Sequence, residues 1–371
     1  MITPEFSDDH SLTQISNRLR VLHVTECYEG GVGAAVDSLI SHYEAAEHGL
    51  VWSGARKVED NPGIAADYEM PEGFIGRWTM IRRAVDDFKP DVVHAHSSWA
   101  GVLCRALPLG VPVVYEPHCF VFDDPARSAK VRRIYQMAEK VLARRSAVTI
   151  VLSEHERSLA EGLRPAGRIM DLANIPTIKA WSGERSFATT APTITMVGRI
   201  ADQKDPGLFA HVARLVLADN PDVRFTWIGD GDPAQRSILE NAGVRVTGWL
   251  SHEAVRDELI RSSIYFHSAA YEGFPLSVLD AAASGLPIIA RDLPCFIGTG
   301  LATAKDAESI AATLRHWTKD EQAARDAAKA SRNLLQSMNV EVQREQLGQI
   351  YAAASGNLRA DGNYRKQDAN A

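Results

Sequence analysis

Cysteine is scarce and scattered in this chain. Cys27, Cys104, Cys119 and Cys295 are the only four, and none forms a C-x-x-C pair. That argues against a disulfide framework or a cysteine-based zinc site and reads as reduced thiols in a cytosolic protein. Long apolar runs are missing too. No stretch of about 20 apolar residues occurs, and residues 1–17 are polar and acidic, so neither a membrane span nor an export signal is expected. Positive charge is not in surplus: 40 Lys and Arg against 47 Asp and Glu leave a net charge of −7. A broad nucleic-acid surface is therefore not expected. A dinucleotide fingerprint is incomplete. Gly31 and Gly33 follow an apolar strand at 21–25, but Val36 stands in the third glycine's place, and the run 49–53 ends without the acid a ribose would need. An NAD site is not expected.

What is present is a long alternation of strand and helix signals. The 371 residues are too many for one core and suit two α/β domains. Strand-like runs at 21–25, 92–96, 111–115 and 148–152 alternate with helical patterns. One helix begins near residue 34, and another is marked by Phe74, Trp78, Ile81, Val85 and Phe88 at helical spacing. Ser153 and Glu156 form a capping box. Residues 180–191 are small, polar and aperiodic and read as a linker. A second series follows, with strands near 193–197, 223–228, 244–250, 264–267 and 287–290. The expected first domain is 1–180 and the second 187–337. A last amphipathic helix, 338–356, closes the series. The tail, 357–371, is polar and expected to be disordered.

Two motifs sit at strand ends of the second series. The first is Gly198-Arg199, followed by Lys204. Arginine offers phosphate a planar fork and lysine a point charge. The second runs from Glu272-Gly273-Phe274-Pro275-Leu276 to Asp280. Gly273 permits a sharp turn and Pro275 suits a helix start. The amides of Phe274 and Leu276 then lie at a helix N-terminus, which favours an anion. Glu272 and Asp280 flank it and are suited to accepting hydrogen bonds from sugar hydroxyls.

In order and spacing these motifs resemble the G-R-x-x-x-x-K and E-x7-E patterns of the retaining glycosyltransferases of family 4, or group 1. The resemblance covers roughly residues 20–355. One departure lies in the motif itself, where Asp280 replaces the usual glutamate. The resemblance implies a GT-B fold, two facing Rossmann-like domains with an interdomain cleft, and a last helix that crosses back onto the first domain. It implies transfer of a hexose from a UDP- or GDP-sugar to an acceptor hydroxyl, with retained configuration, in polysaccharide or glycolipid synthesis. The second domain would hold the donor and the first the acceptor. Arg199, Lys204, Glu272 and His118, at the end of strand 111–115, would be catalytic. Gly31 and Gly33 would admit acceptor and donor phosphates. The loops holding Gly231 and Leu250 would border the base. Glu272 to Leu276 and Asp280 would complete the donor site. No cofactor or metal is expected, because Arg199 and Lys204 can neutralise the leaving diphosphate. Asp230-Gly231-Asp232 spells D-x-D, but its place matches a base-side loop.

Three readings stay open at this point. His94 and His96 share one side of a strand, yet no third metal ligand with suitable spacing is near. The basic stretch 127–145 is either a solvated helix packed on the first sheet or a helix resting on anionic lipid. The location expected is cytoplasmic, peripheral on the inner membrane face if the acceptor is lipid-linked. A GT-B-fold epimerase or phosphorylase, or an inactive nucleotide-sugar-binding module, would use the same motifs.

Overall fold

Largely apolar runs form two separate parallel sheets. The computed structural model describes residues 18–54, 61–183, 185 and 191–356. The first sheet holds β1 (Leu19–Thr25), β2 (Ala46–Trp52), β3 (Ile64–Glu69), β4 (Val92–His96), β5 (Val113–Glu116), β6 (Val148–Val151) and β7 (Arg168–Asp171). Its order is β3-β2-β1-β4-β5-β6-β7. The second holds β8 (Thr193–Val197), β9 (Arg224–Ile228), β10 (Val244–Val246), β11 (Ile264–His267), β12 (Ile288–Arg291) and β13 (Ala302–Ala304), in the order β10-β9-β8-β11-β12-β13. All pairings are parallel. Every residue of β4, β5, β6 and β11 is buried, as expected for strands covered on both faces by crossover helices.

Strand order reverses between β1 and β4 in one sheet and between β8 and β11 in the other. Such switch points open crevices at the strands' carboxyl ends. The loops after β1, β4 and β5 meet there on one side, and those after β8 and β11 on the other. The first glycine loop is shorter than expected. The helix begins at Gly30 and ends at His42, so Gly31 and Gly33 are its first turn. Gly30 takes φ +53°, a left-handed conformation that glycine adopts without a Cβ penalty. The capping box is modified. The Ser153 hydroxyl accepts from the Glu156 amide at 3.3 Å, but the Glu156 carboxylate accepts from the Leu152 amide at 2.8 Å.

The chain crosses between sheets twice. Near the first crossing Asn174, Ile175 and Ile178 are buried. Part of the expected linker, and the tail 357–371, lie outside the described residues. At the end, the helix Val340–Ser355 returns to the first sheet. Its Leu347, Ile350 and Tyr351 join one apolar cluster with Val21, Val92, Val148 and Ile150, which continues through Ile178 to Val278, Leu279 and Leu286. Arg344 Nε also donates to the His42 carbonyl at 2.9 Å.

Candidate active site

The fold joins the two motifs of the second domain directly. Lys204 ends a single 3-10 turn, Asp202–Lys204, after β8. The turn is held against the loop after β11, where the Ala270 amide donates to the Gln203 carbonyl at 2.8 Å and Ser268 Oγ to the Lys204 carbonyl at 2.7 Å. Lys204 Nζ thereby reaches Glu272 Oε1 and donates to it. His267 Nε2 lies 3.3 Å from the same oxygen, and Gln203 Nε2 is 3.4 Å from Glu272 Oε2. Burial alone would raise the Glu272 pKa. Lys204 and then His267 outweigh it and hold the carboxyl at about 2. The site therefore keeps an ionised carboxylate beside the Lys204 side chain.

Arg199 faces the other way. It is 57% exposed, and its Nη1 lies 3.3 Å from Glu29 Oε1, in the first domain. Glu29 is the N-cap residue of the helix that opens with Gly30, Gly31 and Gly33. A Cβ on Gly31 would meet nothing within 4 Å, whereas Gly33 is buried. An anion between these elements would meet a guanidinium and a helix N-terminus together.

Gly273 lies where the two domains come close together. Its φ is not positive, contrary to the sharp left-handed turn that would explain a glycine there. The reason is space: a Cβ would stand 2.8 Å from Glu156 Oε1 and 2.9 Å from the His118 carbonyl oxygen. Phe274 is buried edge-on against Phe296, and its carbonyl accepts from Asn174 Nδ2 at 2.8 Å. Pro275 caps the helix Leu276–Ala283. The Asp280 carboxylate is occupied on both oxygens. Oδ1 accepts from the Thr177 amide at 2.6 Å and Oδ2 from the Thr177 hydroxyl at 2.8 Å. Burial raises its pKa to about 6 against those two bonds.

Other expected residues have structural duties. A Cβ on Gly231 would stand 2.1 Å from the Ile200 carbonyl oxygen, so its glycine permits a close backbone approach. Asp232 caps a helix by accepting from the Gln235 amide at 2.9 Å, and Asp230 pairs with Arg236 at 3.1 Å. The D-x-D carboxylates are thus already engaged. Leu250 is exposed beside exposed Trp249. His118 turns its ring inward. Its Nε2 lies 3.2 Å from His96 Nδ1 and its Nδ1 3.3 Å from Glu116 Oε1. Only 10% of the side chain is exposed. Its φ is +55° and that of Cys119 is +142°, values costly for residues with a Cβ.

Several partners were not foreseen. His267, Thr177 and Glu156 lie outside both motifs, and Gln203 fills an unspecified position of the first. His23, His48 and Glu116 join His94, His96 and His118 in one buried cluster. The available signal was a histidine inside each of several otherwise apolar strand runs. The missing ligand-capable neighbours of His94 and His96 come from neighbouring strands rather than from nearby sequence.

Comparison with known proteins gives the family and the fold. Residues 19–174 match the family model "Glycosyl transferase 4-like domain", and residues 191–320 match "Glycosyl transferases group 1". An uncharacterised 41.2 kDa protein of the cps region of Klebsiella pneumoniae is 23% identical over 84% of this chain and 94% of its own length. The Escherichia coli UDP-Gal:alpha-D-GlcNAc-diphosphoundecaprenol alpha-1,3-galactosyltransferase is 28% identical over 55% of this chain and 58% of its own. Among solved structures, the Anabaena protein HepE, in complex with UDP-glucose, superimposes with a TM-score of 0.75 at 14% identity, covering 90% of this chain and all of that one. The architecture, two parallel-sheet domains of seven and six strands, is the GT-B fold.

Proposed function

We infer that this chain, which belongs to the group 1 glycosyltransferases, moves a hexose from a UDP- or GDP-sugar to an acceptor hydroxyl with retained configuration, in polysaccharide or glycolipid synthesis. The observation that carries the reading is the placing of two cations at the cleft. Lys204 is bound to Glu272, and Arg199 reaches across to Glu29. A donor diphosphate between them would displace Glu29 from Arg199 and share the Lys204 ammonium. As the bond to the sugar breaks, negative charge grows on the bridging oxygen, and fixed cations stabilise that state more than the bound donor. These side chains then do what magnesium does elsewhere, so turnover needs no added magnesium. Glu272, with the backbone from Gly273 to Leu276, would hold the sugar and its phosphates. Gly31 and Gly33 would admit the phosphates from the other side.

The inward ring of His118 changes its expected part. In this reading its backbone, under Gly273, shapes the sugar's place, and a ring rotation is needed for direct contact. Asp280 would meet a ribose only by sharing its carboxylate with Thr177.

The relatives support both donor classes. Their names include the UDP-Gal enzyme above and GDP-mannose-dependent alpha-mannosyltransferases of mycobacteria. Those names also include acceptors on lipid diphosphates and phosphatidylinositol. Among the described residues no helix is long and apolar enough to cross a membrane. The helix Ala129–Leu142 instead carries exposed Ile134, Met137 and Val141 beside its basic residues, a suitable surface for peripheral contact with anionic lipid on the cytoplasmic face.

A donor panel with a lipid-linked acceptor mixture tests the reading. NMR of the product should show the donor's anomeric configuration and release of nucleoside diphosphate, with magnesium absent. Inversion, or a strict magnesium requirement, would overturn it. Epimerised sugar, or saturable donor binding without turnover, would point to the other uses of the same fold.

A further inference from the structure

Of the 7 tryptophans, only Trp99 and Trp249 are largely exposed. Trp249 adjoins Leu250 in a loop of the second domain. Trp99 belongs to the first domain, and 58% of it is open to water. Side chains of this size are mostly buried, or meet a partner where one end stays wet. Among the described residues the Trp99 indole stacks on no other aromatic ring and on no cation.

Its setting is held by a strained turn. Trp99 is the second residue of the helix Ser98–Ala106, which follows β4 where strand order reverses. Ser97, just ahead of that helix, takes φ +85° and ψ 164°, a region essentially reserved for glycine. Glu26, from the loop after β1, keeps it there. Ser97 Oγ lies 2.6 and 2.7 Å from the two Glu26 carboxylate oxygens, and the Ala100 amide donates to Oε2 at 2.9 Å. Glu26 thus caps the helix and fills the anion position at its N-terminus, so a phosphate is not the ligand of this end. Backbone strain of this kind gathers at ligand-binding places.

The same loop leads to the transfer site. Glu29, three residues on from Glu26, meets Arg199 of the second domain at 3.3 Å. Three residues span at most about 10 Å, so Glu26 and Trp99 stand on the cleft wall that faces the donor arginine. The two side chains suit a sugar ring. A pyranose has an apolar face of C–H groups and a rim of hydroxyls. The indole offers a flat apolar face of negative charge density, which C–H groups approach. The Glu26 oxygens keep lone-pair capacity beyond Ser97 and Ala100 for hydroxyls of the rim. An aromatic wall with a few placed polar groups is the usual lining of a small-ligand site. Glu26 and Glu29 together repel an anionic ring. Arg77, whose charge acts on Glu26, is engaged by the Pro71 carbonyl at 3.3 Å.

We propose that Trp99 and Glu26 form the acceptor subsite of the first domain and hold an uncharged pyranose, the indole against its face and the carboxylate on its hydroxyls. That this sugar is the acceptor rests on the transferase reading above. That a sugar binds here does not.

Saturation-transfer NMR of the full chain tests the subsite, with methyl glycosides of glucose, galactose, mannose and N-acetylglucosamine and no nucleotide. At least one should be bound, with saturation strongest on the protons of one ring face. Trp99→Ala should keep its circular dichroism and weaken that binding about tenfold or more, and Trp99→Phe should recover part of the loss. Glu26→Gln, close in shape, should weaken it as well. No binding of any glycoside by the wild type, or full binding by Trp99→Ala or Glu26→Gln, overturns the subsite. Preference for methyl glucuronide over methyl glucoside overturns the uncharged class. In transfer assays Trp99→Ala should raise the acceptor KM more than it lowers kcat, and an unchanged acceptor KM overturns the acceptor assignment. Glycoside binding through Trp99 in a chain that binds neither UDP- nor GDP-sugars would sink the transferase reading and leave the sugar subsite standing.

Discussion

Arg199 and Lys204 are alike in charge and unlike in setting, so their removal should have different signatures. Each alanine variant should lose roughly a hundredfold to a thousandfold in turnover if it faces the developing charge, about 3 kcal/mol. Arg199 is 57% exposed, so its loss should leave the melting temperature nearly unchanged. Lys204→Ala leaves Glu272 buried beside His267 and Gln203, without its lysine partner, and should also destabilise the fold, by about 3–5 kcal/mol. Initial rates at saturating donor and thermal melts of both variants check this. Equal melting of the two would contradict the pairing.

The two acids of the motif should oppose each other in pH dependence. Glu272 is depressed to about 2 in the fold, so its contribution to stability is present above its unfolded pKa and is lost as pH falls. Asp280 is raised from 3.8 to about 6, so the fold binds its proton more tightly than the unfolded chain does. Its contribution is present below the unfolded value and declines as pH rises through that window. The decline is at most about 3 kcal/mol, from roughly two pKa units. Asp280→Asn should flatten the stability profile between about pH 4 and 6. Unfolding titrations of both proteins across that range are the measurement, and an unchanged slope would remove Asp280 as its source.

At the scale of the element, the helix Ala129–Leu142 carries the two readings its sequence allowed, a solvated face and a face for anionic lipid. Its one acid, Glu139, is turned inward and bonds Arg105 Nη2 and the Tyr115 hydroxyl, both at 2.9 Å. Ile134, Met137 and Val141 are 57–66% exposed, so the apolar side is not spent on the sheet. Arg132 and Arg145 are held by backbone carbonyls, of Phe122 at 2.8 Å and Arg105 at 3.1 Å, and are poor choices for mutation. Lys130, Arg133 and Lys140 are exposed. Reversing these three to glutamate should weaken binding to anionic vesicles at least a hundredfold, since each basic residue near the surface contributes about 1 kcal/mol. Vesicle sedimentation at low and high salt checks it. Wild type that fails to sediment even at low salt would return the helix to a solvated face.

At the scale of the molecule, what was legible in the sequence was local. Strand runs, the two motifs and the returning helix are signalled by neighbours along the chain. The joining of Lys204 to Glu272, the use of Asp280 on Thr177 and the histidine cluster depend on which strands lie side by side. The cluster needs β2, β1, β4 and β5 in that order, and no local pattern states that order. Gly273 was read as a turn because its spatial neighbours belong to the other domain. Gly273→Ala should therefore act on the cleft. A methyl group between Glu156 and His118 should cost about 1–3 kcal/mol of closure. The donor KM should rise while each domain keeps its helical content, as read by kinetics and circular dichroism. Unaltered kinetics would show that the contact yields freely.

The returning helix also sets the order in which the protein can be finished. The second sheet and its helices come from one unbroken run of chain. The first sheet is synthesised earlier, yet Val21, Tyr43, Val92 and Val114 stay uncovered on one side until the 16-residue helix Val340–Ser355 emerges. Domains ordinarily fold in order from the N-terminus as they are made. Here the earlier half must wait for the later one, with an apolar flank open in the meantime. A nascent chain stalled before residue 340 would carry both signature motifs and still hold a first domain without its cover, a form suited to capture by chaperones and unable to keep a cleft closed.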